Sequence, residues 1–206
     1  MNPRTLAAGF FPALLLISCG DSPKPKAKEA DKPPEPITGR QAFQKMFPAA
    51  RIWARDAKPF QMESYNLTQV QSGKGTAPAW QVVFVSDMLR KSKPYTWSAV
   101  EAEGNLHLGT FAGLEDSWGG PSGQSTPFDV NAIRVDSDAA FETAMKQRDA
   151  IEFVKKYPGK PIKFVLELTR RFPDLTWRVL WGDSIGTADF SVYVDATTGD
   201  FLKVVR

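Results

Sequence analysis

Trp177-Arg-Val-Leu-Trp181 and Phe190-Ser-Val-Tyr-Val-Asp-Ala-Thr-Thr-Gly-Asp-Phe-Leu-Lys-Val-Val-Arg206 close the chain, and their pattern decides the fold. Phe190, Val192 and Val194 alternate with Ser191, Tyr193 and Asp195, a period of two that buries one face of a strand. Trp177, Val179 and Trp181 alternate with Arg178 and Leu180 in the same way. Ala196-Thr-Thr-Gly199 reads as a turn: glycine supplies the positive φ, and Asp and Thr suit its flanks. Phe201 and Val204 are expected to face the same core beyond that turn. Upstream, Phe164, Leu166 and Leu168 alternate with Val165, Glu167 and Thr169, which makes residues 161–170 a strand, turned back at Phe172-Pro-Asp174. The result is a four-stranded antiparallel meander. A helix precedes it, with Ser137 as the expected N-cap and Asp138 in the first turn. Phe141, Ala144, Met145, Ile151 and Val154 follow at helical spacing, and Pro158-Gly159 ends the run.

An earlier stretch repeats this order. Ala79-Trp80-Gln-Val-Val-Phe84 parallels Thr176-Trp177-Arg-Val-Leu-Trp181, and Lys58-Pro-Phe60 parallels Lys160-Pro-Ile162. Tyr95 to Phe111, with Glu103-Gly-Asn105 as its turn, parallels Phe190 to Val205. Residues 71–78 are turn-rich and absorb the extra length of the earlier stretch. Thr38 and Gln41 form a capping box ahead of Phe43, Met46 and Phe47. Pro48 is placed to open a second helical piece over residues 49–54. The fold class expected is therefore α+β: two similar units, each one helix packed on a curled four-stranded antiparallel sheet. Unit one spans residues 38–112 and unit two residues 130–206. Residues 113–129 form a Gly/Ser-rich connecting loop, read either as a linker or as an ordered loop whose Trp118 fills a cleft or touches a ligand. Residues 128–135 are expected to run extended into the second helix.

The amino terminus has a different character. Arg4 precedes an apolar run over residues 6–17, too short for a comfortable membrane span. That run ends in Leu16-Ile-Ser-Cys19. This resembles a bacterial lipoprotein signal with its lipobox. The resemblance implies a signal peptide over residues 1–18, removed before Cys19. It also implies lipidation of Cys19, with palmitate among the acyl chains, and a membrane partner held through that residue. Acyl chains contribute roughly 0.8 kcal/mol per buried methylene, and more than one chain makes anchoring durable. Gly20, rather than aspartate, follows Cys19. By the same resemblance this favours the outer membrane, facing the periplasm, within the bacterial cell envelope. In residues 19–37, Lys24, Lys26, Lys28 and Lys32 are interleaved with Asp21, Glu29, Asp31 and Glu35. Such a stretch cannot bury a core and suits a disordered tether.

Chemistry is sparse. Cys19 is the only cysteine and His107 the only histidine, so thiol, zinc-thiolate and common nucleophile–base sites are hard to assemble. His107 is expected on a hairpin strand near the position of Leu202. Asp183, Asp189, Asp195 and Asp200 are carboxylates of the type a glycosidase uses, but turns explain each one better. A formal net charge of +3 is too mild for nucleic acid. Catalytic residues, metals and cofactors are accordingly not expected, and the chain is read as no enzyme. Trp53, Trp80, Trp97, Trp177 and Trp181 are read as core. The candidate binding surface comprises Trp118, Arg170 and Arg171.

Phe190-Ser-Val-Tyr-Val-Asp-Ala-Thr-Thr-Gly-Asp-Phe-Leu-Lys resembles the end of a PepSY domain, in which a strand, an Asp, a Thr-Gly turn and a last strand recur. The likeness is good over residues 137–206 and diffuse over residues 38–111. PepSY domains are similar in fold to the repeats of the beta-lactamase inhibitor protein. The resemblance implies a non-catalytic module outside the cytoplasm that binds an envelope protein or peptide or restrains a protease. The alternative is a small-ligand carrier in the bacterial envelope. Oligomeric state is left open.

Overall fold

The computed structural model describes residues 34–121, 123 and 125–206. The expected signal peptide and Cys19 lie outside the described residues. The chain begins with β1 (Ile37–Thr38) and α1 (Gly39–Trp53), followed by β2 (Lys58–Tyr65), β3 (Thr76–Ala77), β4 (Ala79–Ser86) and β5 (Lys91–Ser98). Next come β6 (Gly109–Ala112), β7 (Asp116–Ser117) and β8 (Ser125–Thr126). Helices α2 (Ser137–Met145) and α3 (Arg148–Lys156) then lead into β9 (Ile162–Thr169), β10 (Thr176–Trp181), β11 (Phe190–Asp195) and β12 (Phe201–Val205). The architecture is α+β, with three α-helices among the described residues and one large antiparallel sheet.

That sheet runs in the order β12-β11-β10-β9-β2-β4-β5-β6, with β7 paired to β5 and β8 to β9. The expected border between two four-stranded sheets is instead a hydrogen-bonded strand pair. There β2 lies beside β9, with Met62 opposite Leu166 and Glu63 opposite Val165. One face of the sheet carries the alternating apolar residues, and the three helices cover it. Phe43 of α1 packs on Phe84, Phe141 of α2 on Phe164, and Phe153 of α3 on Phe190. Trp80 and Trp177 lie edge to face at the centre, 6.3 Å between centroids, and both are fully buried. Each indole is satisfied in the same way: Trp80 Nε1 donates to the Ile37 carbonyl and Trp177 Nε1 to the Val135 carbonyl. A buried indole needs such an acceptor.

The capping box at Thr38 and Gln41 forms as expected. Elsewhere the helices depart from the sequence reading. Pro48 lies inside α1 rather than opening a new helix. It lacks an N–H for the Gln44 carbonyl, yet burial of Met46 and Ala50 on either side holds the helix to the sheet. The N-cap of α2 is Asp136, whose Oδ1 accepts from the Ser137 amide. Ser137 is instead fully buried: its Oγ accepts from the Gly39 amide at 2.8 Å and donates to the Gly75 carbonyl. The single helix expected there is broken between α2 and α3, and Gln147 opens the second piece. Residues 128–135 are not wholly extended, because Val130–Ala132 makes a 3-10 turn.

At the carboxyl end Gly199 has a φ of 83°, and Asp195 Oδ1 accepts from the amides of Thr197 and Thr198, so the turn forms as the sequence predicts. Phe201 does not join the core and is 41% exposed. A bulge between Tyr193 and Val194 shifts the register and sets Phe201 opposite Val194, at the start of the edge strand β12, where it stays exposed. Trp53 is also only half-buried, with its Nε1 donating to Glu115.

Candidate functional site

The helices leave the second face of the sheet open. Strand alternation sends to it the residues between the core positions: Gln61, Glu63 and Tyr65 of β2, Lys163, Val165 and Glu167 of β9, and Arg178 and Leu180 of β10. Tyr193 of β11 joins them, because it pairs with Arg178, which in turn pairs with Val165. An antiparallel sheet with one solvated face should place simple polar residues there. This one places interlocked charges and aromatics.

Lys163 Nζ lies 2.7 Å from Glu63 Oε2, with side-chain exposures of only 11% and 19%. Tyr65 donates to Glu63 at 2.9 Å, and Lys163 sits over the Tyr65 ring. Burial, then the negative charge of Glu63 and the hydrogen bond to it, raises the Tyr65 pKa. One pair along, Gln61 Nε2 and Ser125 Oγ approach Glu167 Oε2 at 3.4 and 3.5 Å. Burial raises the Glu167 pKa, opposed by the charge of Arg178 and by those two hydrogen bonds. Arg178 is held in place, with Nε donating to Ser191 Oγ and Nη2 to the Ile185 carbonyl.

Beside this cluster is a stack. Phe172, from the turn after β9, lies 5.0 Å from the Tyr193 ring. The Arg171 guanidinium lies over both rings, 5.7 Å and 5.2 Å from their centroids, and Arg178 approaches Tyr193 at 5.6 Å. Cations over aromatic faces are attracted by the ring quadrupole, so Arg171 is oriented by stacking and forms no ion pair with another described residue. A cleft of about 300 Å³ opens between Ser125, Glu167, Thr169, Arg171 and Tyr193. It offers hydroxyls, one carboxyl and one uncommitted guanidinium.

The three residues of the expected binding surface do not come together. Arg171 borders the cleft. Arg170 is exposed and makes no ion pair or cation–π contact with a described residue. Trp118 is half-buried, edge-on to Phe60 at 5.3 Å, with Nε1 donating to Asp87. It shares no partner with Arg171. His107 lies in the loop before β6 rather than on a strand; its Nδ1 is 2.5 Å from Glu101 and its ring packs on Phe111. Asp189 pairs with Lys160, and Asp200 accepts from Thr198. Sequence reading missed Glu63, Lys163, Glu167, Arg178 and Tyr193. The available signal was their polar character in the outward slots of strands whose inward slots are mostly apolar. Among the described residues no group of three His, Cys, Asp or Glu side chains comes together, and no helix is long and apolar enough to cross a membrane.

No protein-family model matches the chain, and no curated protein matches it. Among solved structures, that of a candidate lipoprotein from Clostridium difficile 630 is similar at a TM-score of 0.48 and 13% identity. The match covers 80% of this chain and 91% of that one.

Proposed function

We propose that this chain is a lipid-anchored, non-catalytic interaction module of the bacterial cell envelope, which binds a protein or peptide on the open face of its sheet. One observation carries the reading: Arg171, held over Tyr193 and Phe172 without a carboxylate partner among the described residues, at the edge of an open cleft. A peptide laid there finds hydroxyl donors and the Glu167 carboxyl as acceptor on strands, and a ready cation on the turn after β9. Such pre-organisation lowers the ordering cost of binding. The alternative, a small-ligand carrier, needs an enclosed apolar pocket; this cleft is open to solvent and mixed in its lining, which favours the peptide reading.

The anchor rests on Leu16-Ile-Ser-Cys19, with Cys19 lipidated and the outer membrane, facing the periplasm, as its place. Kinship to tandem PepSY units, and restraint of a protease with it, is part of the same proposal. Supporting it, Trp80 and Trp177 occupy matching slots and each reaches the carbonyl just before a helix N-cap. The turn glycines Gly104 and Gly199 share a φ near +80°, at 81° and 83°.

The test is a crosslinking pull-down from envelope extract with the full lipidated chain, run beside its Arg171→Glu variant. One envelope protein recovered by the wild type and lost by the variant is the expected result, and a protease in that position supports the restraining role. Equal recovery by both, with the variant folded, refutes the open face as the binding surface.

A further inference from the structure

A hairpin turn ordinarily carries Gly, Asn or Asp. The turn between β4 and β5 has its Asp in Asp87, but then carries Met88 and Leu89, which are 80% and 48% exposed, and Arg90 adopts a left-handed φ of 53° there. Contacts gather further exposed apolar residues at this end of the molecule. Asp56, just past α1, accepts from Ser86 Oγ at 2.6 Å and from the Met88 amide at 2.9 Å. This brings up the end of α1 with Ile52, 88% exposed. Trp53 donates to Glu115 at 2.8 Å, which holds Leu114, 90% exposed, beside the same helix end. Trp118 lies behind the turn, its amide donating to the Arg90 carbonyl and its indole to Asp87.

The charges here are unequal in their commitments. Arg51, Arg55, Lys58 and Arg90 are exposed and Lys91 is half-buried, and none forms an ion pair with another described residue. The acids are occupied. Asp56 and Asp87 hold the turn and Trp118, Glu115 holds Trp53 and Lys93, and Asp116 accepts from the Ser117 amide. Aliphatic side chains at a tip, spare cations around it and two indoles behind it match the layers of an anionic bilayer surface. Apolar groups enter the acyl boundary, cations meet the headgroup phosphates, and indoles suit the level between.

We propose that the end of the molecule bearing Ile52, Met88, Leu89 and Leu114 is a docking tip that seats the anchored protein on an anionic lipid surface. This rests on the reading of Cys19 as the lipid anchor. The 18 residues from Cys19 to Pro36 have a contour of roughly 60 Å. The 15 residues of α1 separate its start from Ile52 by about 22 Å at most. The tether therefore has length enough to let the tip reach the bilayer that holds the anchor, which is present at high effective concentration. A protein partner at the tip is the competing occupant.

The experiment uses the full lipidated chain in vesicles of phosphatidylethanolamine and phosphatidylglycerol. An environment-sensitive fluorophore is placed through Met88→Cys, Leu114→Cys or, at the opposite sheet edge, Lys203→Cys. The expected result is a blue shift and quenching by brominated lipid at 88 and 114, lost in phosphatidylcholine alone, and no shift at 203. Protein retained on the vesicles in high salt with water-like emission at 88 and 114 overturns the docking and leaves the anchor standing. Protein washed off by high salt overturns the anchor and the docking with it. A shift at 88 and 114 that needs added envelope protein, not lipid, overturns the lipid surface in favour of a protein partner.

Discussion

The two faces of the sheet are built from the same strands and obey opposite rules. The covered face is a continuous apolar layer from Tyr95 across Trp80 and Trp177 to Phe190, sealed by three helices. The open face sets Glu63 against Lys163, and Glu167 near Arg178, with Tyr193 and Phe172 stacked alongside. What differs is how each side chain is satisfied. On the covered face packing dominates and the two central indoles add bonds to backbone carbonyls. On the open face Glu63, Lys163, Glu167 and Arg178 each depend on a particular neighbour, whereas Arg171 has no ion-pair partner among the described residues. The covered face should therefore hold the fold, while the open face should tolerate change wherever a charge has no partner to abandon.

The most severe way to probe that contrast is Trp177→Ala. The side chain is fully buried, and removing it should cost about 3–5 kcal/mol, read as a lower midpoint in urea unfolding. A loss below about 1 kcal/mol would deny the covered face its dominant role. Next is Lys163→Met, which leaves Glu63 half-buried without its cation and should cost about 2–3 kcal/mol. Adding Glu63→Gln should recover much of that loss, because the uncompensated charge is then gone. If the double variant is no better than the single, packing rather than charge governs the open face.

A smaller, pH-dependent effect is expected from Glu167→Gln. The Glu167 pKa is raised by burial above its ordinary value of 4.5. The folded state thus holds this proton more tightly than the unfolded state does. Wild-type stability should fall as pH rises from about the unfolded value through the raised folded one. The variant lacks that penalty. It should be slightly the more stable protein at pH 8, with the advantage vanishing below pH 4.5. Unfolding curves at the two pH values measure this directly, and an advantage that grows in acid would contradict the assigned cause. Least of all in stability, Arg171→Ala should change unfolding by no more than about 0.5 kcal/mol. Its effect belongs to binding, so loss of partner capture with an unmoved midpoint would sharpen the contrast between the faces.

The covered face was legible in the sequence for the same reason that it is robust. Period-two alternation reports burial, and Trp80, Trp177, Val179 and Phe190 advertise their side of the strand. Thr38 with Gln41 and the turn at Gly199 were equally plain, because caps and turns are local chemistry. The open face was not legible: Glu63, Lys163 and Arg178 look in sequence like any solvated residues, and only the pairing of β2 with β9 brings the first two together. Likewise, Arg170 and Arg171 could not be ranked until Tyr193 was placed beneath one of them. The exchange of Asp136 for Ser137 as N-cap has a similar origin. Both residue types cap helices, and the choice is made by the other helix start, 98 residues away.

That meeting of helix starts has a consequence for how the chain folds. Asp136 Oδ2 accepts from Thr38 Oγ1 and Oδ1 from the Arg40 amide, while Ser137 Oγ receives the Gly39 amide. The first turn of α1 is therefore completed by groups from the second half of the sequence, and Asp136 serves two positive helix ends at once. A nascent amino-terminal portion has the sequence of a helix and four strands but not the groups that finish its helix. Commitment must wait until residue 137 is available, and the late, long-range closure should make folding slow and unfolding all-or-none.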